Sequence, residues 1–290
     1  MTTAAQWVQG ARPRTLPAAV APVLVGSGAA TLVDDFQPVR ALLALVVALA
    51  LQVAVNYSND YSDGVRGTDA NRVGPLRLVG SGVASPGAVK LAALSCFAVA
   101  ALAGLILSLL TTLWLIPLGA VMIAAAWGYT GGASPYGYRG FGELSVFVFF
   151  GLVAVLGTTY VQAEQLSVAA LLGGIGCGAL ACAILVTNNL RDIPTDAASG
   201  KRTLAVVLGD PRTRTLYAAL VAGAFAVVLA LAAVTPWALL ALLALPVAAG
   251  PLRTIRRGAT GRDLVPVLAG TGKVQLGYGV LLGAGLALGG

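Results

Sequence analysis

The chain has 290 residues, 58% of them hydrophobic and only 10% charged, with a formal net charge of +7; its mean hydropathy is +0.88. That composition excludes a water-soluble globule with a polar surface and implies an integral membrane protein. Nor does the positive balance signal nucleic acid: no basic helix or aromatic-basic platform accompanies it, and the cations lie between apolar runs as topology signals and anion ligands.

Histidine is absent. This removes His-ligated metals, Ser-His-Asp triads and histidine bases, so any chemistry must run on carboxylates, cations, hydroxyls or a metal held by oxygen. Cys96, Cys177 and Cys182 all sit in apolar runs, where they read as small buried hydrophobes.

In chain order, Arg12 and Arg14 precede an apolar segment ending in GSGAA. The pattern has the outline of a signal peptide, but further spans follow it, and it reads as an uncleaved first transmembrane helix. A bilayer core needs about 20 mainly apolar residues per helix, and nine segments qualify: approximately 15–33, 40–59, 88–110, 113–130, 144–163, 167–188, 215–235, 237–255 and 265–288. The runs are long, rich in Ala, Leu and Val, and lack the alternation of a membrane barrel, so the expected fold is an all-α bundle forming a single domain over residues 1–290.

Nearly all of the 18 Lys and Arg residues fall in the N-terminus and in the connections after the second, fourth, sixth and eighth segments; Arg40 lies clearly on the other side. The positive-inside rule puts that set in the cytoplasm and the C-terminus outside. Asp60, Asp63, Asp69, Asp192, Asp196, Asp210 and Asp263 share the cytoplasmic side, whereas Asp34 and Asp35 do not.

Two polar clusters interrupt the apolar pattern. The second segment ends with Gln52, Asn56, Asn59, Asp60 and Asp63, spaced three or four apart and so on one helical face. The sixth ends with Asn188, Asn189, Arg191, Asp192 and Asp196, and Asn188-x3-Asp192 repeats the spacing of Asn56-x3-Asp60. The match suggests an internal repeat of segments one to four and five to eight. Pro194 biases Ile193 away from helical geometry, so Asp192 and Asp196 are expected to straddle a helix end and the loop beyond it. Such clusters also occur as solvated helix caps. Their duplication favours a site, because ionisable groups at a membrane edge usually face a substrate or ion path.

Several carboxylates together need a neutralising cation, and oxygen ligands without histidine or paired thiolates point to Mg2+. The stretch after the first cluster supplies Arg72 and Arg77 among glycines, and the stretch after the second supplies Lys201 and Arg202. Carboxylates, Mg2+, Arg and Lys together are the means by which proteins grip a diphosphate, here one carried by a lipid. An ion-coupled transporter would place its acids near the bilayer midplane. A CDP-alcohol phosphotransferase would need DG-x2-AR, and Asp63-Gly64 is followed by VRG.

NDYSD at 59–63 and DIPTD at 192–196 resemble the two aspartate-rich motifs of the UbiA superfamily of membrane prenyltransferases. ARPRTLPAAVAPVLVG, NYSNDYSDGVRGTDANRVGPLRLVGSG, SPYGYRGFGELSVFVFFGLVAVLGTTYVQ and NNLRDIPTDAASGKRTLAV are similar to its branch of 1,4-dihydroxy-2-naphthoate polyprenyltransferases, from residue 11 to about 207. The resemblance implies a nine-helix bundle around a central cavity, in the bacterial cytoplasmic membrane, with the site facing the cytoplasm. It implies Mg2+-dependent transfer of a polyprenyl group from polyprenyl diphosphate to dihydroxynaphthoate with loss of CO2. Asn56, Asp60 and Asp63 would belong to the first motif and Asp192 and Asp196 to the second. Gly67 stands where hydroxybenzoate enzymes carry an acid, and Asp69 follows as either a ligand or an outer support. Tyr129, Tyr136, Tyr138 and Tyr160 are candidates to face the allylic cation, with Asn188 nearby. Arg139 would hold the acceptor carboxylate or the diphosphate, or serve only as a topology charge.

Overall fold

The protein, seen in a computed structural model, is described over residues 2–68 and 76–290. Its helices are α1 (Ala4–Gly10), α2 (Pro17–Thr31), α3 (Pro38–Arg66), α4 (Pro86–Leu110), α5 (Leu115–Gly128), α6 (Gly142–Ala163), α7 (Val168–Ala198), α8 (Leu204–Leu231), α9 (Pro236–Arg256) and α10 (Val265–Leu288). No strand occurs among the described residues. Proline opens α2, α3 and α4, where its missing N–H is no loss. The Ser85, Ser167 and Thr203 side chains accept from Ala88 N, Ala170 N and Val206 N at the starts of α4, α7 and α8.

Among the described residues, α3, α4, α6, α7, α8 and α9 are long and apolar enough to cross a membrane, and α2 and α5 are shorter apolar helices. In α7, 72% of the most apolar window is buried, against 17% in α3, so α7 is the interior helix of the bundle. The outer helices turn Leu42, Leu102, Leu109, Trp114, Val121 and Leu243 outward, as a surface facing acyl chains requires. Small residues bring the inner helices together. A Cβ on Gly28 of α2 would stand 2.2 Å from the Gly283 carbonyl oxygen of α10, and one on Gly151 of α6 would stand 2.5 Å from Gly178 Cα of α7.

Each expected segment overlaps a helix, and three helices depart most from the expected bounds. α3 continues beyond residue 59 to Arg66, ending on Gly67 with φ of 73°. α8 begins at Leu204 rather than 215, with its backbone broken at Gly209 (φ 74°, ψ 170°). α7 runs through Pro194 to Ala198, so Asp192 and Asp196 share one helix after all. A proline's own φ is helical, and its costs are one missing N–H bond and crowding of its ring against the carbonyl one turn earlier; the Thr195 hydroxyl donating to Asp192 O at 3.0 Å adds local support.

The connections gather at two ends. At one, Arg66 donates to Thr130 O, Arg202 N to Tyr138 O at 2.8 Å, and Thr2 Oγ1 to Val83 O at 2.8 Å. At the other, Arg40 donates to Leu110 O at 2.6 Å and to Val161 O at 3.1 Å, and pairs with Glu164 at 3.0 Å.

The Gly28 contact leaves no room for a side chain. Gly28→Val is expected to destabilise the bundle by about 1–3 kcal/mol and lower the melting temperature in detergent; an unchanged melting temperature would contradict the α2–α10 packing.

Candidate active site

α3 presents its polar residues by simple helical geometry. At 100° per residue, Gln52, Asn56, Asn59 and Asp63 fall within about 60° of one another, and all four line a cavity of about 1130 Å³. Asn188, Asn189, Asp192 and Asp196 of α7 line the same cavity, together with Arg12, Arg77, Tyr129, Tyr136, Tyr138 and Lys201. The rest of its wall is largely apolar, including Val47, Leu51, Leu118, Met122, Phe149 and Phe150.

Asp63 is heavily engaged. Its Oδ1 accepts from Lys201 Nζ at 3.0 Å and from the Tyr138 hydroxyl, and its Oδ2 stands 3.8 Å from Arg77 Nη2. Asp63, Arg77 and Lys201 are all buried, so their charges act through a medium far less screening than water. Lys201 is aimed by its own turn, where its backbone N donates to Asp196 O at 2.9 Å. Its Nζ lies 4.5 Å from the Tyr138 ring centroid, and Arg66 lies 5.6 Å from that centroid. Burial, and then the neighbouring Asp63 carboxylate, raise the Tyr138 phenol above its usual range. It therefore stays protonated at neutral pH and serves as a donor.

On α7, Arg191 grips Asp192 with two bonds of 2.7 and 2.8 Å and donates to Asn188 Oδ1 at 2.6 Å. Asn189 donates to Glu143 Oε1 at 2.9 Å, and Thr130 Oγ1 donates to Asn59 Oδ1 at 2.6 Å.

Asp60 is a different case. It lies about 60° around α3 from Asp63 at 100° per residue, is fully buried, and does not line the cavity. Its two oxygens accept from Leu78 N at 2.7 Å and Val79 N at 3.0 Å. The bonds pin the strand of backbone just after Arg77 and so carry that guanidinium to Asp63.

The other expected residues divide as follows. Arg139 is exposed and bonded to Ser134, Arg202 is exposed, and Tyr160 is half-buried; none of the three lines the cavity. Arg202 and Tyr160 were expected at the site, and for Arg139 the exposed position agrees with its alternative reading as a topology charge. Asn56 does line the cavity while its amide donates to Ala11 O at 2.9 Å and Thr15 Oγ1 at 3.0 Å. Asp69 and Arg72 lie outside the described residues. Arg12, expected to be a topology charge, lines the cavity, and so does Asn189. The one sequence signal for Arg12 was its place in the turn RPRT before the first apolar helix.

The donor set facing the cavity is oxygen only, which suits Mg2+. Among the described residues no group of three or more acidic, histidine or cysteine side chains is gathered so as to hold a metal alone. Asp63, Asp192 and Asp196 all line the cavity, their carboxylates being of the chemistry that suits such an ion.

The chain matches the UbiA prenyltransferase family over residues 19–286. It is 55% identical over 289 residues to the 1,4-dihydroxy-2-naphthoate octaprenyltransferase of Mycobacterium tuberculosis, covering 100% of this chain and 99% of that one. It is 39% identical over 293 residues to the Escherichia coli protein of the same name, covering 97% and 95%. Two solved structures share the fold: an apo UbiA homolog from Aeropyrum pernix (TM-score 0.71, 17% identity, 93% and 97% covered) and a UbiA homolog from Archaeoglobus fulgidus bound to GPP and Mg2+ (TM-score 0.64, 14% identity, 95% and 99% covered). Family match, full-length identity and fold agree: the chain belongs to the UbiA prenyltransferase family.

Proposed function

We propose that this protein transfers a polyprenyl group from polyprenyl diphosphate to 1,4-dihydroxy-2-naphthoate with loss of CO2, giving a demethylmenaquinol, the reduced form of a demethylmenaquinone, and that it requires Mg2+. The observation that carries the reading is the division of one cavity into a charged end, bearing Asp63, Asp192, Asp196, Arg77 and Lys201, and a largely apolar remainder. A prenyl diphosphate has the same division. The name shared by the full-length relatives supplies the acceptor.

In this reading Lys201 and Arg77 exchange part of their contact with Asp63 for diphosphate oxygens, and the Tyr138 hydroxyl holds Asp63 in place. Asp63, Asp192 and Asp196 would hold Mg2+, which when bound supplies charge neutralisation for the departing diphosphate. The allylic C–O bond breaks with its electron pair going to the diphosphate. Ring π electrons of the acceptor form the new C–C bond at the carbon bearing the carboxylate, and the ring–carboxylate bond then breaks with its electron pair returning to the ring as CO2 leaves. The apolar wall, with Phe149 and Phe150, keeps water from the allylic cation, and Tyr129 offers it an electron-rich face.

We also propose nine membrane crossings with a cytoplasmic N-terminus in the bacterial cytoplasmic membrane. The connections at the charged end of the cavity carry most of the Lys and Arg residues, and the positive-inside rule assigns that end to the cytoplasm.

Membranes carrying the protein, given Mg2+ and a long-chain prenyl diphosphate, are expected to prenylate dihydroxynaphthoate and to stop when the metal is chelated. Turnover of 4-hydroxybenzoate alone would overturn the acceptor assignment. The two aspartates of α3 should separate cleanly. Asp63→Asn is expected to lower kcat by about 10²-fold or more in a folded protein. Asp60→Asn loses one of two backbone partners at about 1–3 kcal/mol, and should speed amide hydrogen exchange at Leu78 and Val79. Unchanged exchange in that variant would contradict the anchoring role.

A further inference from the structure

Lys273 stands apart from the cations of the cavity. It is the one charged residue of α10, it does not line the cavity, and its side chain is exposed. The neighbours of α10 on that side are α2 and α9, and none of the three helices contains an aspartate or glutamate. Nor does any ion pair among the described residues involve Lys273. Its level in the bundle follows from the residue before it. A Cβ on Gly272 would stand 2.9 Å from Arg14 O and 3.6 Å from Pro17 Cγ, so the first turn of α2 lies beside it. Lys273 therefore sits where α2 begins, at the charged end of the bundle. A lysine turned toward acyl chains is costly unless its amine reaches the headgroup region and finds an anion.

Beyond Lys273 the same face of α10 is open and apolar. At 100° per residue, Leu276, Val280, Ala284 and Ala287 all fall within about 60° of it, and Leu276, Val280 and Ala284 are exposed. Val280, Ala284 and Ala287 form one wall of a recess of about 420 Å³, with Leu24, Thr31 and Phe36 opposite. Helical rise puts Val280 about 10 Å and Ala284 about 16 Å from Lys273. One acyl layer is about 15 Å deep, half of a bilayer core of about 30 Å. A tail that starts from a headgroup at Lys273 thus ends in the recess.

We propose that the α2–α10 face is a docking site for an anionic phospholipid, with Lys273 holding the headgroup phosphate and one acyl chain running past Val280 into the recess. The phosphate supplies the negative charge that α2, α9 and α10 lack. A lysine amine is a compact point charge with three donors, which suits phosphate oxygens. Arg14, exposed on the turn that meets Gly272, adds a second positive charge at the same level. A zwitterionic lipid offers the same phosphate, but its own ammonium offsets it, so the face selects for net negative charge. The site lies on the outside of the bundle and does not depend on the prenyl-transfer reading.

The test is lipid retention by the full chain. Protein purified in mild detergent is mixed with equal amounts of phosphatidylglycerol and phosphatidylcholine of the same acyl chains, and native mass spectrometry counts what stays bound. Wild type is expected to retain phosphatidylglycerol about fivefold over phosphatidylcholine. Lys273→Gln should bring the ratio close to one, and Lys273→Arg should keep most of the preference. Arg212→Gln, which removes an exposed cation of α8, should leave it unchanged. Val280→Trp, which fills the recess, should lower the retention of both lipids. A melting temperature in detergent checks folding, and Lys273→Met replaces Lys273→Gln if that variant does not fold. Equal retention by wild type, a preference that survives in folded Lys273→Gln, or one lost equally in Arg212→Gln would overturn the proposal. So would displacement of bound phosphatidylglycerol by a prenyl diphosphate, which would make Lys273 a substrate-entry residue instead.

Discussion

Asp63 and Lys201 meet at 3.0 Å although they belong to opposite halves of the chain. Both are buried, with Arg77 and Tyr138 completing the group. A carboxylate withdrawn from water demands such partners, and removing one typically costs several kcal/mol because the other charge is left uncompensated. The demand closes the bundle at one end. It ties α3 to the loop after α7, and through Tyr138 it ties both to the loop after α5. Charged groups that a membrane would otherwise reject are thereby concentrated in a single place beside an apolar cavity.

Around this contact the protein separates holding from binding. Asp60 spends both oxygens on Leu78 and Val79 and so sets the path of Arg77. Arg191 spends two bonds on Asp192 and a third on Asn188. Asn56 and Gln52 brace the turn that carries Arg12. In each case a buried polar group next to the cavity is fixed by a neighbour on another face or turn, which pre-organises the site. Internal partners also reduce the number of polar atoms left in hydrocarbon, although Arg191 Nη1 is buried without a hydrogen-bond partner.

Much of this was legible in the chain itself. Long apolar runs located the helices, since length and hydropathy are the constraints a bilayer imposes most strictly. The spacing of Gln52, Asn56, Asn59 and Asp63 marked the face that meets the cavity. The same spacing misled at Asp60, because three- and four-residue steps drift around a helix, and about 60° was enough to turn its carboxylate to the loop. Pro194 suggested a helix end, yet its lost bond and ring crowding are local costs, and α7 runs on through it to Ala198. Loop cations were the least legible. Arg139 and Arg12 both looked like topology charges, and only the tertiary path of two short turns sends one to the exterior and the other to the cavity.

The central claim is that the aspartates of α3 and α7 act on one diphosphate. Equilibrium binding of a prenyl diphosphate analogue with sulfur in place of the bridging oxygen tests it directly, because binding is read apart from chemistry. With Mg2+ present, Asp63→Asn and Asp192→Asn should each weaken binding by about tenfold or more, and chelating the metal from wild type should do the same. Full affinity in either folded variant, or in wild type without Mg2+, would contradict a shared site.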